Sequence, residues 1–410
     1  MTDQTDVVIV GGGQAGLAVS HELTQAGVAH VVLERGRVGQ SWRGLWDSFC
    51  LMAPNWITRL PGHSYDGDEP DGFMTRDEVV AYLERYAAGF GAPVRENVEV
   101  ESLRRGADGG FTLETSDGPI AARTVVLATG AYQRPRRPAG AATLPADVLA
   151  IDVGEYSNPT ALPPGPVLVV GSGQSGCQIA EELNEAGREV FLACGRAPWI
   201  PRRIGDRDVI WWAIETGFFE MPLSALPHPA LRLTGNAQST GTRGGHDLHY
   251  RTLQEAGVTL LGHFVGADGH RARFATDLAA SVAWGDQINA QLMDSVRAHA
   301  AAKGLATPEI VEPRPFSGDA PDQLDLSGLG AVIFASGFRP DYESWVHLPG
   351  AFDEFGFPLQ HDGASTLVPG LYFIGVHFMR KRKSSLLHGV SEDAAIVAGQ
   401  VAGAVASTAV

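Results

Sequence analysis

Residues 7–35, VVIVGGGQAGLAVSHELTQAGVAHVVLER, constrain this chain more than any other stretch. The apolar run Val7-Val8-Ile9-Val10 suits a parallel strand buried on both faces. Gly11, Gly13 and Gly16 follow in G-x-G-x-x-G spacing, and then Leu17, Val19 and Leu23 mark an amphipathic helix that stops at Ala26-Gly27. A second apolar run, Val28 to Leu33, ends in an acid, Glu34. Each glycine has a mechanical reason. The first permits a tight turn, the second lets backbone approach a pyrophosphate, and the third lets helix and strand pack closely. The pyrophosphate would rest on the helix N-terminus, where free N–H groups and the dipole favour negative charge. Glu34 falls where an adenosine ribose would present its hydroxyls.

The stretch occurs twice. In residues 167–196 the three glycines recur as Gly171, Gly173 and Gly176, with Gln174 and Ser175 opening the helix. A repeat this long implies two dinucleotide-binding units in one chain. The copies differ where it matters: Glu34 becomes Cys194, followed by Gly195 and Arg196. An acid suits a free 2′-hydroxyl, whereas its loss beside an arginine suits a 2′-phosphate. The first unit is therefore expected to hold FAD and the second NADPH, with Arg202 and Arg203 close enough in sequence to assist Arg196.

With 410 residues, 44% of them hydrophobic, the chain can build two or three cores. A formal charge of −16 argues against a nucleic-acid partner. No apolar run approaches the ~20 residues of a membrane span, and the first strand begins too early for a signal peptide. Cys50, Cys177 and Cys194 form neither a C-x-x-C nor a disulfide framework. These features predict a soluble, cytoplasmic protein. The expected fold class is α/β, with two Rossmann-like domains, the second inserted in the first. The FAD-binding domain takes residues 1–137 and 331–410, and the NADPH-binding domain takes 138–330 with a helical insertion at about 204–310.

Several segments carry candidate site residues. Arg35, Gln40, Trp42 and Arg43 lie in a glycine-containing loop able to meet a flat ring and a phosphate. The aromatic stretch Trp42–Trp56 suits a pocket wall, in which Asn55 either hydrogen-bonds flavin and an oxygen adduct or fixes a turn after Pro54. Thr75 is a helix N-cap for residues 75–90, and strands are read at Val94–Leu103 and Phe111–Thr115. The apolar strand before Thr129-Gly130 and its echo before Gly337 end in small residues, and a last strand leads to His377. The basic run Arg380–Lys383 precedes Ser385 and a helix near Val390–Ala402; a phosphate or cofactor role is expected of it. The region 204–310, with Trp211, Trp212, Phe218 and Phe219 and a helix face from Leu278 to Val296, is either a cap over the active site or extra packing with a homodimer surface. His246 and His249 lack a third partner for a metal, so no metal is expected.

Taken together, Gly39–Arg43, Ala128-Thr129-Gly130, Gly171–Gly176, Arg196-Ala197-Pro198-Trp199, Ala335–Phe338 and Lys381–Leu387 resemble the class B flavin monooxygenases, the flavin-containing monooxygenases and their Baeyer–Villiger relatives. The likeness covers nearly the whole chain and is least specific over 204–310. It implies bound FAD, NADPH as reductant, O2 and a small organic substrate as partners, and a peroxyflavin that transfers one oxygen atom. It places cofactor contacts at Thr129, Gly130, Gly337, His377 and Ser385. The family signature F-x-G-x-x-x-H-x-x-x-Y keeps only Tyr156: Ala146, Val148 and Asp152 stand where Phe, Gly and His are expected, which makes Asp152 the candidate at the catalytic histidine's position. An NADPH oxidase or reductase without oxygen transfer, and a redox-sensing flavoprotein, are the alternative functions.

Overall fold

The computed structural model describes residues 3–234, 236–316, 318 and 320–408. Both apolar repeats become central strands of parallel sheets. In the first sheet Leu371–Phe373, Ile120–Leu127, Asp3–Val10, Val31–Glu34 and Val94–Glu96 lie side by side, all parallel. In the second, the order is Ala150–Asp152, Ala331–Phe334, Val167–Val170, Val190–Ala193 and Thr259–Leu261, again all parallel. Period-two alternation explains the unbroken apolar runs. Val7 and Ile9 join Leu17, Leu23 and Val397 in one core, while Val8 and Val10 join Leu113 and Phe357 on the opposite face. Val167 and Val169 repeat this against Ile179 and Leu183, with Leu168 and Val170 facing Phe264 and Phe274.

The chain leaves the first domain through Arg134–Pro135 and returns through Phe338–Arg339, and these two segments pair antiparallel as a ribbon between the domains. Strand Ala331–Phe334 hydrogen-bonds within the second sheet, so the return comes after it and not at 330/331. The expected strand Val94–Leu103 also divides. Val94–Glu96 extends the parallel sheet, and Val100–Arg105 pairs with Phe111–Thr115 in an antiparallel meander on Ile120–Leu127. Helix Arg76–Phe90 starts at Thr75, whose side chain and Glu78 form a reciprocal capping box.

The segment 204–310 is not a simple helical insertion. Thr259–Leu261 belongs to the second sheet, and Phe264–Asp268, Arg271–Phe274 and Gln323–Asp325 make a small antiparallel sheet. Its helices are Val209–Glu215, Tyr250–Glu255 and the long Leu278–Lys303. Ile210, Trp212, Met293 and Val296 from this region share a core with Ile57 of the first domain, against which Met52 and Ala53 also pack. That placement is a cap on the aromatic segment. Among the described residues, no helix is long and apolar enough to cross a membrane.

Candidate functional site

The first glycine turn separates three requirements. Gly11 has φ +112°, and a Cβ there would lie 2.8 Å from the carbonyl oxygen of Ala128. A Cβ on Gly16 would overlap the carbonyl oxygen of Gly11. Gly13 has an ordinary φ of −86°, and a Cβ there would meet nothing within 4 Å. The protein's own packing therefore does not require a glycine at 13, and the open space beside it forms a cradle with room for a ligand to approach the backbone. Helix Gln14–Gln25 has no side-chain cap, which leaves first-turn N–H groups available to that cradle. Glu34 is buried, and its two oxygens accept from Gly12 N at 2.7 Å and Gly36 N at 3.0 Å. A carboxylate so fixed keeps lone pairs for ribose hydroxyls.

The second turn repeats the geometry. Gly171 has φ +111° with Ala335 O 2.5 Å from a Cβ position, Gly176 abuts Gly171 O, and Gly173 again faces open space. Gln174 and Ser175 sit half-buried on the uncapped first turn of helix Gln174–Glu185. The chemistry at the strand end differs. Cys194 is fully buried, and hydroxyls take the place of the carboxylate: Gly195 N donates to Ser172 Oγ at 3.0 Å, Tyr250 OH donates to Gly195 O at 2.5 Å, and Ser172 and Tyr250 hydroxyls meet at 2.6 Å. Arg196 is exposed just beyond, with no side-chain partner among the described residues. Arg202 departs from expectation. It is 4% exposed, ion-paired with Asp208, bonded to Met52 O at 2.7 Å and stacked on Phe73, so its guanidinium joins the domains and is not free for a phosphate. Burial holds its pKa below the usual arginine value.

At the first site Trp42 Nε1 donates to Gln14 Oε1 at 3.0 Å, and Gln14 Nε2 donates to Ser385 O at 3.3 Å, which brings the loop and the C-terminal segment to the cradle. Gln40 Oε1 accepts from Arg37 N, and Arg35 is exposed without a partner among the described residues. Arg43 pairs with Glu84 and bonds Val38 O, so it braces the loop rather than meeting a phosphate. Gly130 and Gly337 have φ +70° and +87° with open space beside each. Thr129 Oγ1 accepts from Gln133 at 2.8 Å. His377 packs against Tyr132 at 4.4 Å, and Tyr132 against Phe338 at 5.6 Å, so strand ends of both sheets converge here. Burial pushes the His377 imidazole down to about 4, which keeps it neutral.

Three further expectations change. Asn55 is 3% exposed and its amide bonds Met74 N at 2.7 Å and Glu69 O at 3.0 Å, the turn-fixing alternative. Asp152 is held by Arg137 in a bidentate pair of 2.8 and 3.0 Å, so its carboxylate anchors the connector. The basic run is paired with acids: Arg380 with Asp362, Glu392 and Asp393, and Lys381 and Lys383 with Glu220 and Glu392, while Arg382 lies over Phe218 and Phe378. It fastens the cap at Phe218–Glu220 to the C-terminal segment. Beneath that tie His388 is buried against Phe219, with its ring held down to about 4 by burial. Sequence reasoning missed the Ser172–Tyr250 ring and the Glu220 tie because their partners are far apart in the chain. His246 pairs with Glu181 and His249 packs on Trp199.

The pattern of the pyridine nucleotide-disulphide oxidoreductase family matches residues 8–209. An uncharacterized CzcO-like oxidoreductase of Geobacillus kaustophilus is 32% identical over 391 residues, covering 95% of this chain and 96% of that protein. Indole-3-pyruvate monooxygenase YUCCA1 of Oryza sativa subsp. japonica is 31% identical over 228 residues, 50% of this chain and 56% of its own length. Among solved structures, the flavin-containing monooxygenase from Stenotrophomonas maltophilia superposes with a TM-score of 0.67 at 21% identity, covering 98% of this chain and 99% of the other. That likeness is one of fold.

Proposed function

This chain belongs to the CzcO-like oxidoreductase family, and on that premise we propose that it is a flavoprotein monooxygenase using FAD, NADPH and O2 to oxygenate a small organic molecule. The observation that carries the reading is the pair of open cradles at Gly13 and Gly173, one edged by a carboxylate and one by neutral hydroxyls, with strand ends that meet at Tyr132, Phe338 and His377. Bound FAD supplies the redox chemistry, taking a hydride from NADPH and activating dioxygen.

The chain's residues do the rest. Uncapped helix starts and glycine backbone bind the pyrophosphates, and Glu34 orients the FAD ribose. Arg196 reads the 2′-phosphate of NADPH. Ile57, Trp212, Phe219 and His388, all within or against the buried cap joint, exclude water from the seam between the cap and the first domain. Neutral His377 presents an uncharged edge where the strand ends converge. N-oxygenation, S-oxygenation and Baeyer–Villiger oxygenation are the transfers this arrangement serves.

The second reading, an oxidase or reductase without oxygen transfer, is favoured by Asp152, an anchor where the resembling family has its histidine. A thiol–disulfide version is disfavoured: Cys177 and Cys194 are buried and burial raises their thiol pKa values. The experiment is a balance sheet of NADPH consumed, peroxide formed and product oxygenated, over amines, sulfides, ketones and arylpyruvates. Oxygenated product above the peroxide background supports the monooxygenase. Peroxide equal to NADPH across the whole panel refutes it.

A further inference from the structure

A cavity of about 550 Å³ lies outside both nucleotide cradles, beside the ribbon that joins the domains. The volume is within the ~300–1,000 Å³ of small-molecule sites. Three parts of the chain line it: Arg134 and Arg339 from the ribbon, Leu233 from the cap-side turn, and the loop from Asp341 to Gly356.

Its lining carries charges of both signs. Arg339 is half-buried, and among the described residues its guanidinium donates only to the carbonyl oxygen of its neighbour Phe338, at 2.8 Å. No carboxylate pairs with it among the described residues, although the chain as a whole carries −16. Burial, and secondly the nearby Arg136 cation, disfavour its charged form. Arg134 has only a long 3.7 Å contact with Asp341. On the same lining Glu343 and Glu354 also lack cationic partners among the described residues. Cations and anions thus face one cavity, and among the described residues Arg339, Glu343 and Glu354 form no ion pair with one another. Leu233 and Phe355 add apolar wall between them.

From this geometry we propose that the cavity binds a zwitterion of α-amino-acid type, its carboxylate on Arg339 and Arg134, its ammonium on Glu343 or Glu354, and its side chain against Leu233 and Phe355. A molecule with both charges pairs with both sets of groups at once, and charge-assisted bonds to a partly desolvated arginine are stronger than neutral ones.

The wall of the cavity is wired to the first cradle. Asp341 N donates to Gln133 Oε1 at 2.6 Å, Gln133 Nε2 donates to Thr129 Oγ1 at 2.8 Å and Gly130 O at 2.7 Å, and Tyr342 OH donates to Gly130 O at 2.6 Å. Arg232, next to Leu233, is paired with Asp353 at 2.6 Å. Occupancy therefore biases both the Thr129-Gly130 turn and the seating of the cap-side turn on the first domain, a coupling between two distinct sites.

The test titrates oxidised holoenzyme with glycine, L-leucine and L-phenylalanine, alongside 4-methylpentanoate and 3-methylbutylamine, which keep one charge each. Binding is read by calorimetry and by the flavin difference spectrum. Saturable binding of at least one amino acid is expected, with each single-charge analogue weaker by about tenfold or more. Arg339→Gln and the double variant Glu343→Gln/Glu354→Gln should each weaken the amino acid by a similar factor at unchanged FAD content. No binding up to about 10 mM, the weak limit for a specific small-ligand site, overturns the proposal. So does equal binding of 4-methylpentanoate, or unchanged affinity in Arg339→Gln, which places the probe elsewhere, for example in the substrate site. A bound probe that leaves the flavin spectrum unmoved overturns the coupling. None of these results depends on oxygen transfer, so the outcome stands apart from that of the proposed function.

Discussion

Gly13→Ala separates ligand binding from folding, and Gly16→Ala is its control. At 13 the backbone already has φ −86°, and the added methyl meets no protein atom within 4 Å. Two small effects act on the apoprotein. Gly→Ala at a compatible φ stabilises by about 0.4–1 kcal/mol through the unfolded chain, and alanine is the poorer N-cap by a comparable amount. They offset, so apoprotein stability should stay within about 0.5 kcal/mol of wild type. FAD is another matter. The methyl occupies the space where a pyrophosphate must approach, and losing one charge-assisted backbone contact costs about 1.5–3 kcal/mol, or roughly ten- to a hundred-fold in Kd. At 16 the methyl overlaps Gly11 O, and overpacking of that kind costs about 1–3 kcal/mol or more in the apoprotein itself. The assay is urea denaturation of deflavinated protein followed by FAD titration with fluorescence quenching. The reasoning is refuted if Gly13→Ala binds FAD like wild type, or if it destabilises apoprotein as much as Gly16→Ala does.

Arg196→Ala should raise the KM for NADPH by roughly ten- to a hundred-fold and leave NADH nearly unchanged, whereas Arg202→Ala should cost about 3–5 kcal/mol of stability by stranding Asp208 in a buried site; steady-state kinetics with both coenzymes and denaturation curves tell the two apart. His388 is held down to about 4 in the folded chain, so below the ordinary histidine value the unfolded chain binds the extra proton. Its contribution is full above about pH 6.5 and falls as pH drops toward 4, by up to about 3 kcal/mol; urea midpoints at pH 7.5 and 5 should differ less in His388→Gln than in wild type. Glu220→Gln removes a half-exposed tie worth less than about 1 kcal/mol, and hydrogen exchange at 218–223 should rise with little change in global stability and respond to salt. Equal exchange in wild type and variant would show that the ion pairs do not hold the cap.

Both glycine turns, their strands and the helix at Thr75 were legible because each is written locally: apolar alternation, a cap, a stop. The place of Ala331–Phe334 was not. Its run, AVIF, reads like the run before Thr129, and only hydrogen bonding to Val167–Val170 and Ala150–Asp152 assigns it to the second sheet. The roles of charged residues were the least legible. Arg43, Arg202 and the Arg380–Lys383 run resemble phosphate ligands by type, yet each is settled by an acid or a carbonyl distant in sequence: Glu84, Asp208 and Met52, Glu220 and Glu392. Arg196 and Arg35 stay unpaired among the described residues, and Arg339, half-buried at the cavity, has only the carbonyl of Phe338 there.

The two turns also show why their chemistry had to diverge as a unit. In the first, a Cβ on Gly12 would lie 3.0 Å from the Cβ of Glu34 and 3.2 Å from its Oε2. A side chain at 12 and the acid at 34 therefore compete for one space. In the second turn the corresponding positions are Ser172 and Cys194. With no acid reaching back, Ser172 fits, and its hydroxyl takes the N–H of Gly195 and closes a ring with Tyr250. That ring satisfies the strand-end backbone, which the Glu34 carboxylate does for Gly12 and Gly36 in the first turn, but adds no charge. On the proposed reading, an incoming 2′-phosphate would meet hydroxyls and the exposed Arg196 instead of a carboxylate, so that repulsion is removed before any attraction is added. Restoring an acid at 194 alone would not restore the first turn's preference, since Ser172 occupies the room that the carboxylate needs.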